Sequence, residues 1–373
     1  MKNFAYLFLC SFLLMTVACS KDDDTTTTPE VVITIADAEA SQKSWFWIPK
    51  SDMFARDGST TGYVANLNDD SKKLIIYLQG GGACFNRTTC EFNPSAFGLT
   101  EFNASLNSPD NVNPGILNRD NPANPFKDYN IVFVPYSTGD VHSGRNSDGD
   151  VEDGPQNQNM NGYSNLQKII AEVAPYFNDK GVDEIIFTGS SAGGFGTYLN
   201  FNAVADAFTG VKVTTIVDAG PIFLSPNIFP DCLAEQWLDL FKFPFPADYD
   251  QFVEGTYDNK IQAFYEYLSK KYPNRQFGLC STYFDDTIRF FYGFSQNNCA
   301  NGALPIDNAT FKVGLNQIKT LFDQLGNWKV YYTNGSRHTF LLQPDATEIE
   351  VNGVLFKDWL VDLTNNQAEH VTE

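Results

Sequence analysis

Short apolar runs separated by helix-like segments recur along the chain. They lie at Leu74 to Leu78, Ile131 to Val134, Glu184 to Phe187, Val213 to Val217 and Lys329 to Tyr332. Runs of this length match buried strands, and their alternation with helical patterns is typical of βα units. One such helix follows Ser164, its predicted cap, with apolar residues on one face at Leu166, Ile169, Ile170, Val173 and Phe177. The pattern predicts an α/β fold with a mostly parallel central sheet flanked by helices.

The run Glu184 to Phe187 leads into the pentapeptide Gly189-Ser190-Ser191-Ala192-Gly193. A G-x-S-x-G sequence between a strand and a helix is typical of a nucleophile elbow, in which small residues allow a sharp turn and leave the serine hydroxyl exposed. The same letters also occur in ordinary glycine-rich turns. The strand-then-helix context favours the elbow, with Ser191 as the nucleophile of a hydrolase.

A second glycine motif, Gly80-Gly81-Gly82, closes the run Leu74 to Leu78. Glycine lets backbone N–H groups approach a developing oxyanion without a side chain between them. We expect an oxyanion hole formed by Gly81 and Gly82 together with the N–H of Ala192, the residue after the nucleophile.

A serine nucleophile needs a base, and the chain has three histidines. His338 follows the last predicted strand and comes after the serine, as expected of an α/β hydrolase. His142 precedes the serine, so its loop, with Asp140, is expected to line the pocket. His370 lies near the polar end of the chain. For the triad acid the residues leave three candidates open, namely Asp218, Asp285 and Asp286.

These motifs together resemble the pectin acetylesterase/Notum family of carboxylesterases. Leu78 to Cys84 is similar to the family block L-E-G-G-G-W-C, and Gly189 to Gly194 is similar to G-C-S-A-G-G. The resemblance spans roughly residues 44–363 and implies an α/β-hydrolase fold without a cofactor. It favours Asp286 over Asp285 as the carboxylate of the triad and argues against Asp218.

The resemblance implies an ester hydrolase that removes acetyl groups from an acetylated glycan. An esterase for longer acyl chains and a glycan-binding lipoprotein without turnover are the alternatives. Ala83 stands where the family has tryptophan, and Ser137 and Ser190 replace two of its cysteines. The pocket lining and the disulfide pattern therefore need not carry over.

The start of the chain has the features of a targeting segment. Lys2 is followed by an apolar stretch and by Val17-Ala18-Cys19, which predicts a lipoprotein signal peptide at 1–19 with Cys19 as the lipidated residue. An acidic and threonine-rich stretch makes 20–43 a predicted flexible tether. A single catalytic domain is expected at 44–373, with an aromatic-rich cap inserted at about 223–308. The expected location is the bacterial outer membrane, through the lipid anchor alone and with exposure at the cell surface, and a periplasmic or secreted protein is the alternative.

Five cysteines lie beyond the predicted leader. Cys84 and Cys90 are close together and flank a polar loop, which predicts a disulfide, and Cys280 with Cys299 is the next expected pair, leaving Cys232 free. The acidic loop Asp148 to Gly154 lacks the glycine and glutamate of a calcium loop, so no metal is expected. A net charge of −20 argues against nucleic acid and against tight binding of a polyanion. A monomer is expected.

Overall fold

The computed structural model describes residues 32–106, 114–299, 302 and 304–373. The predicted leader, Cys19 and the first part of the predicted tether lie outside these ranges. The strands are β1 Phe46–Phe54, β2 Thr60–Asn66, β3 Lys73–Leu78, β4 Asn130–Val134, β5 Asn146–Gly149, β6 Gln158–Met160, β7 Glu184–Ser190, β8 Lys212–Asp218, β9 Phe277–Thr282, β10 Trp328–Thr333, β11 Glu350–Val351, β12 Val354–Leu355 and β13 Val371–Thr372.

The α-helices are α1 Arg87–Phe92, α2 Leu99–Leu106, α3 Gly162–Asp179, α4 Ala192–Ala207, α5 Asp231–Glu235, α6 Phe264–Lys271, α7 Asp286–Gly293, α8 Asn308–Leu325 and α9 Phe356–Thr364. Short 3-10 helices lie at Ile35–Ser41, Gly115–Leu117, Tyr249–Gln251, Lys260–Ala263 and Phe294–Asn297, and one π-helical turn at Gln236–Leu240. Within the described ranges, no helix is both long and apolar enough to cross a bilayer.

Among the described residues the central sheet has nine strands in the order β1-β2-β4-β3-β7-β8-β9-β10-β13. The seven strands from β4 to β13 are parallel, and β1 and β2 add an antiparallel edge. All five predicted strands are present in this sheet, which confirms the α/β-hydrolase-like class. Because parallel strands end at one edge, the loops after β3, β7, β8, β9 and β10 gather at that edge, where open α/β sheets bind ligands.

Apolar residues on both faces of the sheet are buried, as expected where helices cover a parallel sheet. One core includes Leu74 and Ile76 of β3 and packs against α3 and α4, and the other includes Ile75 and Tyr77 of the same strand and packs against α9. The predicted apolar face of α3 is buried. The helix begins two residues before Ser164, after Asn161, so Ser164 is not its cap.

Two predicted boundaries are wrong. Residues Ile35–Ser41, assigned to the tether, form a 3-10 helix whose Ile35 and Ala38 are buried in the core and whose Ile35 N–H donates to Glu172 at 2.9 Å. The predicted insert contains β9, which lies between β8 and β10 in the central sheet. Its aromatic composition suggested a cap, but much of that apolar surface is strand and helix core.

The disulfides agree with one prediction and contradict the other. Cys84 is bonded to Cys90, as expected. The second bond joins Cys232 to Cys299, and Cys280 is free and buried. The pair Cys280 and Cys299 was expected because these two cysteines bracket the segment that carries Asp285 and Asp286. Cys280 lies inside β9, between β8 and β10, whereas Cys232 lies in α5 and Cys299 follows the 3-10 helix Phe294–Asn297, both outside the sheet.

Candidate active site

Ser191 lies in the tight turn between β7 and α4. Its backbone has φ 57° and ψ −121°, a left-handed conformation that a side chain adopts only under constraint. The turn can close because Gly193 lacks a Cβ, which would lie 1.9 Å from the carbonyl oxygen of Leu78. Ser191 Oγ makes no hydrogen bond within the described part of the chain, and the residue lines a pocket. The hydroxyl is therefore presented to the pocket, as the G-x-S-x-G motif predicts.

The predicted oxyanion loop follows β3 beside this turn. Buried side chains bind its carbonyl groups: Asn93 donates to Gly81 O at 2.8 Å, and Tyr136 donates to Gly82 O at 2.9 Å. In a trans peptide the N–H points away from the carbonyl, so the contact with Asn93 directs the N–H of Gly82 to the opposite side.

The lining of the pocket narrows the set of predicted oxyanion donors. Gly82, Ser191 and Ala192 all line it, and Gly81 does not. Ala192 is the first residue of α4, where a backbone N–H has no acceptor within the helix. The backbone groups of Gly82 and Ala192 are thus placed to bind a negatively charged oxygen.

His338 lies in the loop after β10, and its carboxylate partner is Asp285. The distances from His338 Nδ1 to the two carboxylate oxygens are 2.9 and 3.1 Å. Asp285 is completely buried, and the His338 side chain is 24% exposed. The preference for Asp286 is wrong, because its exposed side chain binds Arg289 at 2.9 Å instead. The alternative acid, Asp285, is the residue that meets the imidazole.

The third acid candidate, Asp218, does not contact the imidazole. It lies at the end of β8, fully buried, and its carboxylate accepts the backbone N–H groups of Phe340 and Leu341. Burial raises the pKa of Asp218, while these donors oppose that shift. Asp218 therefore holds the loop that carries His338.

Asp140 and His142 do not line the pocket as predicted; Val141 between them does. Asp140 accepts the N–H groups of Gly144 and Gly162 and the Thr138 hydroxyl, which fixes the loop internally. His142 Nε2 lies 2.8 Å from Gln79 O, just before the glycine loop. Burial lowers the pKa of His142 to about 4, so the ring is neutral at pH 7 and donates its Nε2 proton to that carbonyl.

The pocket beside Ser191 has a volume of about 60 Å³ for the centres of water-sized spheres. Its walls are mainly aromatic, with Phe195, Phe229, Trp237, Phe241, Phe291 and Tyr292. The Tyr292 hydroxyl donates a hydrogen bond to Pro221 O, and the side-chain amide of Gln236 donates one to Cys232 O. The cavity is therefore suited to an apolar group attached to the carbonyl carbon that Ser191 would attack.

Several residues of the site have no local sequence signal. Asn93 and Tyr136 are an asparagine after a short helix and a tyrosine after a strand, and only folding brings them to the glycine loop. Trp237 lies in the π-helical turn, a feature that often occurs at functional sites but that hydrophobic periodicity does not reveal. The aromatic richness of the predicted insert was the one available indication of the pocket wall.

Comparison with known proteins identifies a matching family. The pectinacetylesterase family matches residues 38–240. The matched region contains the glycine loop and Ser191, and it ends before Asp285 and His338. The pairing of Asp285 with His338 therefore rests on the geometry of this chain.

Curated relatives match part of the chain. The palmitoleoyl-protein carboxylesterase NOTUM of Schmidtea mediterranea is 34% identical over 149 residues, 39% of this chain and 27% of that protein. The human protein of the same name is 29% identical over 171 residues, 44% of this chain and 33% of that protein. The matched region thus spans about a third or less of these relatives.

A solved structure of the Wnt deacylase Notum from Drosophila resembles the fold over most of its length. The TM-score is 0.64 at 19% identity, with 89% of this chain and 96% of that chain covered. At this identity the likeness establishes the shared architecture alone.

Proposed function

Because the chain belongs to the pectinacetylesterase family, we propose that it is a serine carboxylic ester hydrolase in which Ser191 is acylated and His338 transfers the proton. The observation that carries this proposal is the convergence, at one edge of the sheet, of a strained, pocket-facing serine and a histidine paired with a buried carboxylate. A protein that only binds glycans has no use for that combination.

The proposed reaction follows from the positions of the groups. Asp285 accepts a hydrogen bond from His338 Nδ1–H, which leaves Nε2 free to take the proton of Ser191 Oγ as it attacks the ester carbonyl. The N–H groups of Gly82 and Ala192 stabilise the resulting oxyanion. The imidazolium then protonates the departing alcohol, and water attacks the acyl-enzyme by the same route in reverse.

The pocket supports an acyl group longer than acetyl. A volume of about 60 Å³ for the centres of water-sized spheres is several times the roughly 10–15 Å³ that one water needs, so the aromatic-walled pocket has room beyond the two carbon atoms of an acetyl group. We therefore propose that a medium or long acyl chain occupies it. The second candidate is removal of acetyl groups from an acetylated polysaccharide, which the family match favours.

The alcohol side of the ester is proposed to be neutral or cationic. A cleft that shares Phe85 and Gln236 with the acyl pocket is lined by four carboxylates, Asp150, Glu152, Asp153 and Glu235. Together with the net charge of −20, these groups repel a polyanion such as de-esterified pectin. A neutral acetylated hemicellulose is accordingly a better polysaccharide candidate than pectin.

A series of p-nitrophenyl esters from acetate to dodecanoate tests these proposals, beside acetate release from acetylated xylan and pectin. Each methylene buried in the pocket should raise kcat/KM by up to about fourfold until the pocket is full. A kcat/KM that falls from acetate to butyrate, with rapid release of acetate from xylan, would overturn the long-chain proposal and support the polysaccharide candidate.

Ser191→Ala is the test of the mechanism and should abolish turnover of every ester while the protein stays folded. Thr215→Val is the control and should retain turnover, because the Thr215 hydroxyl is buried and has no partner among the described residues. Retained turnover in Ser191→Ala would exclude Ser191 as the nucleophile.

A further inference from the structure

Asp218 contacts both of the segments that carry the proposed reacting pair. Its backbone carbonyl accepts the N–H of Ser191 at 2.7 Å. Its carboxylate accepts the N–H groups of Phe340 and Leu341, two and three residues after His338, each with a shortest distance of 2.9 Å. One residue at the end of β8 is therefore bonded on one side to the nucleophile and on the other to the loop of the base.

A serine hydroxyl and a cysteine thiol also contact the carboxylate of Asp218. Ser190 Oγ donates to it at 2.5 Å and itself accepts from Tyr77 at 2.7 Å, and the Cys280 thiol lies at 3.5 Å. The titratable groups facing Asp218 are thus Tyr77 on β3, Cys280 on β9 and His338 on the loop after β10. Donors on several sides favour the ionised form of a carboxylate and limit its movement.

We infer that Asp218 is a positioning residue that sets the separation and orientation of Ser191 and His338. The inference rests on the proposed function, in which these two residues exchange a proton. That transfer requires the two heavy atoms to come within hydrogen-bonding distance. The bond between His338 and Asp285 orients the ring, but it leaves the backbone of the loop to be held by other groups. The carboxylate of Asp218 holds it from inside the sheet.

Asp218→Asn tests the role because it keeps the shape and removes the charge. One carboxylate oxygen, Oδ2, accepts both N–H groups, so an amide oxygen at that position would place the amide N–H₂ about where Oδ1 lies, 3.0 Å from the N–H of Phe340, and two donors would face each other. Displacement of a reacting group by about 1 Å lowers turnover roughly 100-fold, so kcat should fall by that order with KM little changed. General loosening of the site would raise KM as well, so a fall in kcat with little change in KM marks a positioning role.

Thr215→Val is the matched control for Asp218→Asn. Thr215 lies on the same strand, is fully buried, and has a hydroxyl with no partner among the described residues. This variant should keep the wild-type kcat and pH profile. The inference is overturned if Asp218→Asn keeps a kcat within about threefold of Thr215→Val, since the misplacement it predicts costs far more.

Amide hydrogen exchange on the wild-type protein tests the inference even if Asp218→Asn does not fold. The N–H groups of Phe340 and Leu341 belong to a loop, yet they should exchange as slowly as those of β8 because a buried carboxylate binds them. Exchange at the rate of exposed loops would overturn the inference. Activity retained in Ser191→Ala would instead reject the proposed function, so the two failures are distinguishable.

Discussion

Asp285 accepts a hydrogen bond from His338 at 2.9 Å and, with the same carboxylate, accepts the N–H of Ile288 at 2.8 Å. The second bond makes Asp285 the N-cap of α7. An N-cap side chain folds back over the first turn of its helix, and here that turn faces the protein interior. Asp286 is the first residue within the helix and points to solvent. Capping of α7 and orientation of the His338 ring are therefore performed by one residue.

Asp285→Asn should leave the protein folded and almost inactive. Asparagine caps helices as well as aspartate does, so the unfolding free energy should change by about 1 kcal/mol or less. The amide favours the wrong imidazole tautomer, a defect that in a well-studied serine protease lowers kcat about 10⁴-fold. Steady-state kinetics and thermal unfolding measure the two effects. Asp286→Asn is the control and should retain full activity; the reverse result would return the role to Asp286.

Activity should increase with pH as His338 loses its proton, because an imidazolium cannot accept the proton of Ser191. The two other histidines do not contribute to this increase near neutral pH, since burial lowers the pKa of both His142 and His370 to about 4. The rise in kcat/KM should persist in His142→Gln and disappear, with nearly all activity, in His338→Ala. The opposite pair of results would show that His142 is the base.

His142 should make stability depend on pH. The unfolded chain binds this proton below about pH 6.5, whereas the folded protein does not bind it until about pH 4. The unfolding free energy should therefore fall as the pH drops through that window, by about 3 kcal/mol from this residue.

His142→Gln can keep the donor to Gln79 O without titrating, so it isolates this effect. Denaturant unfolding at pH 7 and pH 4 should show a smaller loss of stability in the variant. His370 is present in both proteins and cancels in the comparison. Equal losses in the two proteins would contradict the prediction.

Ala83→Trp should shorten the acyl group that the enzyme prefers. Ala83 lines the apolar pocket, and the family tryptophan would fill part of that space. Each buried methylene contributes up to about fourfold in kcat/KM. Exclusion of two or more methylenes should therefore lower the ratio of kcat/KM for octanoate to kcat/KM for acetate by about tenfold. The acetate rate in the same variant serves as the internal control. An unchanged ratio would place the acyl chain elsewhere.

Many features of the fold and of the reactive turn could be predicted from the sequence because they depend on local physics. The apolar runs become strands wherever both faces of a sheet are buried, as β3 and β7 show. Glycines around Ser191 are required by a turn so tight that a Cβ at Gly193 would clash with Leu78. The position of His338 after Ser191 in the chain could also be predicted, because each residue follows a strand of the parallel sheet.

Contacts between distant segments were decided only by the tertiary structure. Neighbours such as Asp285 and Asp286 have the same local chemistry, and the direction in which α7 packs determines which one is buried. Cys299 binds Cys232 and not Cys280, because β9 holds Cys280 inside the sheet. The bonds of Asp218 to Ser191 and to the His338 loop join residues 27 and about 120 positions apart. Local sequence determines which elements form, but side-chain partners depend on how those elements pack, and that is a property of the whole chain.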